Sequence, residues 1–111
     1  MPVLKSESAP TIEVKKGLKR KLIYTGDLMT AVLDFSNGPW DAPEPPHSHP
    51  HAQTTYIVSG EIIFYCEGEP DIHLGPGDMF YVPGGKEHTI KLLTPTARLV
   101  DNFSPIREDF L

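Results

Sequence analysis

Short runs of apolar and β-branched residues recur along this chain, and turn-forming residues separate them. No long stretch shows the hydrophobic period of about 3.6 residues that marks an amphipathic helix. The runs have the length of β-strands and cover residues 12–14, 22–25, 28–35, 54–58, 61–66, 72–74, 79–82, 88–93 and 97–103. Many short strands joined by turns are typical of an all-β sandwich or barrel.

The connections between the runs carry Gly and Pro. The Ser59-Gly60 pair lies between two runs and predicts a tight hairpin. Residues 41–46 are rich in proline and predict an extended loop, because proline cannot join a central ladder. The last residues predict one helical turn, with Ser104 as its N-cap and Pro105 at its first position.

Length and charge limit the classes of function. The chain has 111 residues, so we expect one domain over residues 1–111, with residues 1–10 as an exposed N-terminal arm. The net charge of −5 makes general nucleic-acid binding a poor fit, since phosphates need a cationic partner surface. The basic run at residues 15–21 predicts a solvated hairpin, not a nucleic-acid patch.

We expect a cytoplasmic protein without a membrane partner. No apolar run approaches the ~20 residues that span a bilayer. The first residues lack the basic-then-apolar form of a secretory signal. The single Cys66 fits a reducing compartment. It shares a period of two with Ile62 and Phe64, which predicts a core residue and not a nucleophile.

Histidines provide the first chemical signal. His47 and His49 are two positions apart, so on a strand both imidazoles point to one face and can bind one metal ion. Gln53 would lie ~13 Å beyond His49 on a straight strand. A turn at Pro50 would return it towards the pair and redirect His51. A third histidine, His88, follows a tight turn at Pro83-Gly84-Gly85.

These spacings resemble the two motifs of the cupin superfamily. The first is His47-x-His49-x3-Gln53-x6-Gly60, and the second is Gly77-x5-Pro83-x-Gly85-x2-His88. The resemblance implies a jelly-roll β-barrel, also called a double-stranded β-helix, with one metal ion in its mouth. It also implies the ligand set His47, His49, Gln53 and His88. Most cupins carry Glu where this chain has Gln53, whose amide can alternatively hydrogen-bond a ligand or a water.

The amide at position 53 changes the expected charge of the site. Three neutral imidazoles and one amide leave the charge of a divalent ion uncompensated, so the site should attract an anionic ligand such as a carboxylate. Nitrogen and oxygen ligands suit Ni, Fe, Mn, Zn or Cu, and the sequence does not choose among them. We expect His51 and His73 to be ordinary surface or core residues.

The C-terminal segment provides the second signal. Asp101 and Phe103 share a face of the last predicted strand, and Arg107 follows shortly after. If that face is the barrel interior, a carboxylate and an aromatic ring line the cavity, and Arg107 can reach the mouth. The alternative is structural: Phe103 seals the barrel, Asp101 is a strand-end residue and Arg107 pairs on the surface.

This ending, together with the Gln-containing motif, resembles the KdgF-type cupins of pectin and alginate breakdown. The resemblance implies ring opening and ketonisation of 4,5-unsaturated monouronates to linear 5-keto-4-deoxyuronate. Asp101 and Arg107 would then be catalytic, and Phe103 and Arg107 would bind the sugar acid. The carboxylate and a ring oxygen of the substrate are expected at the metal, with Asp101 moving protons.

Two other functions remain open at this point. One is an Fe-dependent cupin dioxygenase, and the other is a non-catalytic module that binds or senses sugars, because one fold hosts many chemistries. Turnover without O₂ would separate the first from ketonisation, and binding without turnover would identify the second. A homodimer is expected, since pairing would protect exposed sheet edges, with residues 1–16 as a candidate for exchange.

Overall fold

The structure is a computed structural model that describes residues 2–111. Over this range it contains two antiparallel sheets and one short 3-10 turn. The strands are β1 Ile12–Lys15, β2 Leu18–Thr25, β3 Leu28–Phe35, β4 Ala52–Ser59, β5 Ile62–Cys66, β6 Ile72–Leu74, β7 Met79–Val82, β8 His88–Leu92 and β9 Ala97–Ser104. One sheet has the order β1-β2-β3-β9-β4-β7 and the other has the order β6-β5-β8.

This arrangement confirms the all-β jelly-roll barrel. The pleat places alternate residues of each strand on the inner face. In β9 the buried residues are Ala97, Leu99, Asp101 and Phe103, and their outward neighbours are less buried. The core between the sheets is built from apolar side chains, with Ile57, Ile62 and Leu92 fully buried. Polar residues on the same inner faces therefore lie inside the barrel, towards one end of that core.

The N-terminal hairpin follows the sequence prediction in outline. β1 and β2 pair antiparallel, and Gly17 makes the turn with a φ of +85°. That value favours glycine because it has no Cβ. However, β2 begins at Leu18, four residues earlier than the sequence pattern indicated, and pairs along its whole length with β3. The longer strand makes part of the basic run face the barrel interior.

The C-terminal helical turn is displaced from its predicted position. Ser104 is the last residue of β9 and pairs with Ala52, so it does not cap a helix. The Ser104–Pro105 peptide is cis, and the only helical turn in the described range is the 3-10 turn at Glu108–Phe110. The prediction was wrong because the strand ladder with β4 extends the strand through Ser104.

The outer edges of the large sheet leave apolar residues in solvent. Ile12 on the edge strand β1 and Met79 on the edge strand β7 are exposed. Residues 2–8 of the arm are also exposed. These edges suit the expected homodimer, which stays a prediction. No helix among residues 2–111 is long and apolar enough to cross a membrane.

Candidate metal centre

Three histidines from two distant segments meet at one end of the barrel. Each of His47, His49 and His88 offers a ligand atom, and these atoms lie within 4.8 Å of one another. Paired backbone hydrogen bonds between His47 and His88, at 3.1 and 2.9 Å, hold the two segments together. Gly85 N–H also donates to the His49 carbonyl oxygen at 2.8 Å. The turn before β8 therefore positions the third histidine against the first two.

The backbone sets the tautomers of the two buried histidines. His49 Nδ1 lies 3.0 Å from the carbonyl oxygen of His51, and His88 Nδ1 lies 3.0 Å from that of Lys86. A carbonyl oxygen can only accept, so each Nδ1 carries the proton and each Nε2 has a free lone pair. Metal-bound histidines commonly have this second hydrogen bond, because it orients the ring.

Gln53 completes the cluster, as the proposed turn at Pro50 requires. Its Oε1 lies 3.1 Å from His49 Nε2. Its Nε2 donates to Thr55 Oγ1 at 2.9 Å, and Thr55 Oγ1 donates to Asp101 Oδ1 at 2.6 Å. The amide orientation is therefore fixed, since the single hydroxyl proton of Thr55 goes to the carboxylate and its lone pair accepts from the amide.

The donor set fits a metal ion. With the proton of His49 on Nδ1, its Nε2 and the Gln53 Oε1 are two acceptors that face each other without a hydrogen between them. His88 Nε2 is buried and has no hydrogen-bond partner among the described residues. Buried polar atoms normally have partners. One cation between these atoms satisfies all of them, so the cluster is compatible with a single metal ion.

The electrostatics keep the histidines in the form that binds metal. Burial is the main cause that lowers the pKa of His47 to about 4; the nearby His88, His49 and Arg107 also lower it, and Glu44 opposes them. Burial also lowers the pKa values of His49 and His88. All three imidazoles are therefore neutral at pH 7. A metal ion does not have to displace their protons at that pH.

Asp101 lies in the same cavity as the histidines. It pairs with Thr55 in the β4–β9 register, and both side chains point inward. Burial raises the pKa of Asp101 to about 6, although the Thr55 hydrogen bond and the Arg107 charge oppose the rise. A carboxyl group with this pKa exchanges protons readily near neutral pH. Asp101 therefore faces the barrel interior, which the sequence had left open.

Phe103 and Arg107 lie beside the cluster, and Arg107 also pairs with a carboxylate as the structural alternative expected. The Phe103 ring contacts the His49 ring edge-on, with centroids 5.7 Å apart. The Arg107 guanidinium carbon lies 5.2 Å from the Phe103 ring centre. Arg107 also forms a two-point ion pair with Asp109, at 3.0 and 2.8 Å. That pair uses two of the five N–H donors of the guanidinium and leaves three for a ligand.

Several of these groups line one cavity of about 360 Å³. That volume is at the small end of ordinary ligand sites. His47, His88, Gln53 and Asp101 line one part of it, and the basic side chains of Lys15, Arg20 and Arg107 also reach it. The carboxylates of Glu44 and Asp101 and several apolar side chains complete the lining.

Two residues of the site were not found from the sequence. Thr55 belongs to no recognised motif, and threonine is common on strands, so nothing in the sequence marked it as a site residue. Arg20 was assigned to a solvated hairpin, and that interpretation is wrong for Arg20, which is half-buried and lines the cavity. The period-two pattern of β2 would have separated inward Arg20 from exposed Lys19 if the strand had been predicted from Leu18.

The other histidines, Cys66 and Trp40 lie outside the proposed ligand set. His51 is outside the cluster of three histidines, and His73 pairs with Glu61 on the surface at 2.7 Å. Cys66 is buried in the core, as predicted. Trp40 packs edge-on against Phe35, with ring centroids 5.6 Å apart. The loop that holds Trp40 is thereby anchored to the core.

Comparisons with known proteins agree with this geometry. Residues 38–100 match the cupin domain family. The chain is 36% identical to the pectin degradation protein KdgF of Dickeya dadantii (strain 3937) over 107 residues, which is 95% of this chain and 94% of that protein.

Solved structures with a similar fold include members of the same family. KdgF from Halomonas sp. superposes with a TM-score of 0.85 at 35% identity, covering 96% of this chain and 97% of that one. An RmlC-like cupin from Shewanella frigidimarina superposes with a TM-score of 0.86 at 33% identity, covering 97% and 94%. With its motifs, its fold and its relatives in agreement, this chain belongs to the cupin family and is a homologue of the KdgF proteins.

Proposed function

We propose that this protein is a metal-dependent enzyme of pectin or alginate degradation. It opens the ring of a 4,5-unsaturated monouronate and converts it into linear 5-keto-4-deoxyuronate. The homology to the pectin degradation protein KdgF supports the pathway. The observation that carries the reaction is the buried Asp101 carboxyl, which lines one cavity together with His47 and His88 of the three-histidine cluster.

The metal would be one divalent transition ion. His47, His49, His88 and Gln53 would hold it, with the amide oxygen as the weakest of these ligands. When bound, the ion supplies a positive charge that stabilises negative charge on a sugar oxygen. No carboxylate belongs to the proposed ligand set, so the ligands do not neutralise this charge.

The substrate would be oriented by the groups that surround the cluster. Arg107 has three free N–H donors for the carboxylate or a ring hydroxyl of the sugar acid. Phe103 is almost fully buried and provides an apolar wall against His49. Together they would limit the ways in which a flat, unsaturated sugar ring can lie above the cluster.

Asp101 would act as a proton shuttle. As the ionised base it takes the proton from the anomeric hydroxyl of the hemiacetal. The C1–O5 bond then breaks, C1 becomes an aldehyde, and O5 becomes the oxygen of an enolate. Asp101 returns the same proton to C4, so that C5 becomes a ketone. No oxidant or other reactant is consumed, and Asp101 ends in its initial state.

The variant Asp101→Asn tests this role. It keeps the shape of the side chain but cannot hold or release the proton, and we expect turnover of the unsaturated uronate to fall by ~10²–10⁴-fold. Metal content, measured in the same preparations, should stay unchanged. The control is Asp27→Asn, which removes an exposed carboxylate from the β2–β3 turn. Full turnover in Asp101→Asn would remove Asp101 from the mechanism.

A further inference from the structure

Arg20 is a charged residue on the inner side of β2. Its cross-strand partner on β3 is Leu33, and both residues line the cavity. The inward neighbours of Arg20 along β2 are Leu18 and Leu22, which pack against the apolar core. A guanidinium on an apolar strand face is costly to desolvate, so its position needs an explanation.

No carboxylate of the described chain pairs with Arg20. The acidic groups of this region are engaged elsewhere: Asp109 forms its ion pair with Arg107, Glu44 forms one with Lys15, and Asp101 accepts from Thr55. The Arg20 Nη2 donates only to the Phe110 carbonyl oxygen, at 3.5 Å. Arg20 Nε is buried and has no hydrogen-bond partner in residues 2–111. Burial lowers the pKa of Arg20, while Asp109 raises it and Arg107 lowers it. The guanidinium remains a cation, because its pKa normally lies far above 7.

Aromatic rings connect Arg20 with the histidine cluster. The guanidinium carbon of Arg20 lies 3.8 Å from the centre of the Phe110 ring. Phe110 lies edge-on to Phe103 with centroids 5.7 Å apart, and Phe103 stands in the same relation to His49. Two aromatic rings, Phe110 and Phe103, thus stand in series between Arg20 and His49. The Arg107 guanidinium also lies on the Phe110 ring, at 4.3 Å from its centre.

We propose that Arg20 binds the carboxylate of the sugar acid. The ring oxygens then face the histidine cluster and Asp101, where the reaction takes place. This orientation differs from the expectation that the carboxylate lies at the metal. The inference rests on the proposed function for the choice of a uronate, and its physical basis is the unmatched cation in the cavity. A planar guanidinium pairs with a carboxylate in a two-point geometry.

A binding experiment tests this without turnover. Galacturonate and galactose differ in the carboxylate, and neither has the reactive double bond. Each is titrated into zinc-loaded, ¹⁵N-labelled protein, and the dissociation constants follow from NMR chemical shifts. We expect the wild type to prefer galacturonate and Arg20→Met to lose at least ~10-fold in affinity for galacturonate alone. Arg20→Lys should restore part of the loss.

The matched control is Lys19→Met. It removes the same charge from the adjacent position of β2, but Lys19 is exposed on the outer face. We expect it to leave both affinities unchanged. A wild type without preference for galacturonate would overturn the proposal, and so would an equal loss for both sugars in Arg20→Met. The equal loss would mean that Arg20 only supports the C-terminus through Phe110.

The outcomes for Arg20 and for the proposed function are separable. Turnover of the unsaturated uronate with an unchanged KM in Arg20→Met removes Arg20 from recognition and leaves the reaction standing. Carboxylate selectivity that depends on Arg20, in a protein without turnover, removes the reaction and leaves the binding site standing.

Discussion

The hydroxyl of Thr55 connects the proposed metal ligand with the proposed proton shuttle. It is almost fully buried, accepts from the Gln53 amide and donates to Asp101. This arrangement explains why an amide suits position 53. A glutamate there would compete with Asp101 for one hydroxyl proton and would place a second carboxylate close to it. Gln53 avoids both problems and keeps its oxygen directed at the cluster.

We expect Thr55→Val to shift the pH dependence of catalysis. The Thr55 hydrogen bond opposes the rise of the Asp101 pKa, so its loss should move that pKa above about 6. The ionised form starts the reaction, so kcat/KM is retained above this pKa and is lost as the pH falls through it. The inflection should therefore move to higher pH. The measurement is the pH profile of kcat/KM for both proteins.

The control for this experiment is Thr54→Val, one position away on the outer face of β4. It should leave the profile where it is in the wild type. Thr55→Val should also cost about 1–3 kcal/mol of folding free energy, because the Gln53 amide loses its acceptor. An unchanged inflection in Thr55→Val would show that the hydrogen bond does not set the proton affinity of Asp101.

The positions of the site residues could be predicted from the sequence to different extents. His47, His49 and His88 form a cluster that the motif spacing predicted. The period of two put Asp101 on the same face as Phe103, and the structure shows that this face is the inner one. Arg20 could not be placed from composition, because a run of like charges resembles a solvated surface until the strand register assigns alternate residues to opposite faces.

At the level of elements, the site depends on the contact between two turns. The turn after β7 packs against the segment that follows His49. A Cβ added to Gly84 would lie 2.3 Å from the carbonyl oxygen of Pro50. Real Cβ atoms do not approach backbone oxygen so closely, so only glycine fits there. This close approach holds the two histidine-bearing segments together.

We expect Gly84→Ala to separate these turns. The added methyl group should cost about 1–3 kcal/mol of stability, as overpacking usually does. Metal affinity should fall too, since His88 follows this turn. Both quantities can be measured, by denaturant unfolding and by competition with a chelator. Gly75→Ala is the control, because its Cβ would make only an ordinary contact, 3.7 Å from the Glu61 side chain. Equal effects of both substitutions would contradict this explanation.

Most elements could be predicted, and the failures have one cause. Strands with apolar alternation and glycine turns were recognised from local pattern. The start of β2 and the end of β9 were not, because both segments become strand through pairing with a neighbour. Ser104 has the side chain of a good cap, yet its ladder with Ala52 keeps it extended. Tertiary pairing overrides local propensity at such ends.

For the whole molecule, the barrel is a frame that brings together residues far apart in the sequence. His47 meets His88, β4 pairs with β9, and Arg20 reaches the same cavity from β2. The proposed metal ligands, the proposed proton carrier and three basic side chains therefore line one cavity. The fold alone does not select the reaction. The proposed reaction therefore rests on the chemistry of these side chains, and the relationship to KdgF supports it.

The most direct measurement follows the reaction itself. Metal-loaded protein is mixed with 4,5-unsaturated galacturonate without oxygen, and the ultraviolet absorbance of the conjugated double bond is recorded against the uncatalysed rate. We predict a faster loss of absorbance that a chelator abolishes and added metal restores. No acceleration by a protein shown to carry metal would contradict the proposed function. Activity that appears only after O₂ is admitted would indicate a dioxygenase instead.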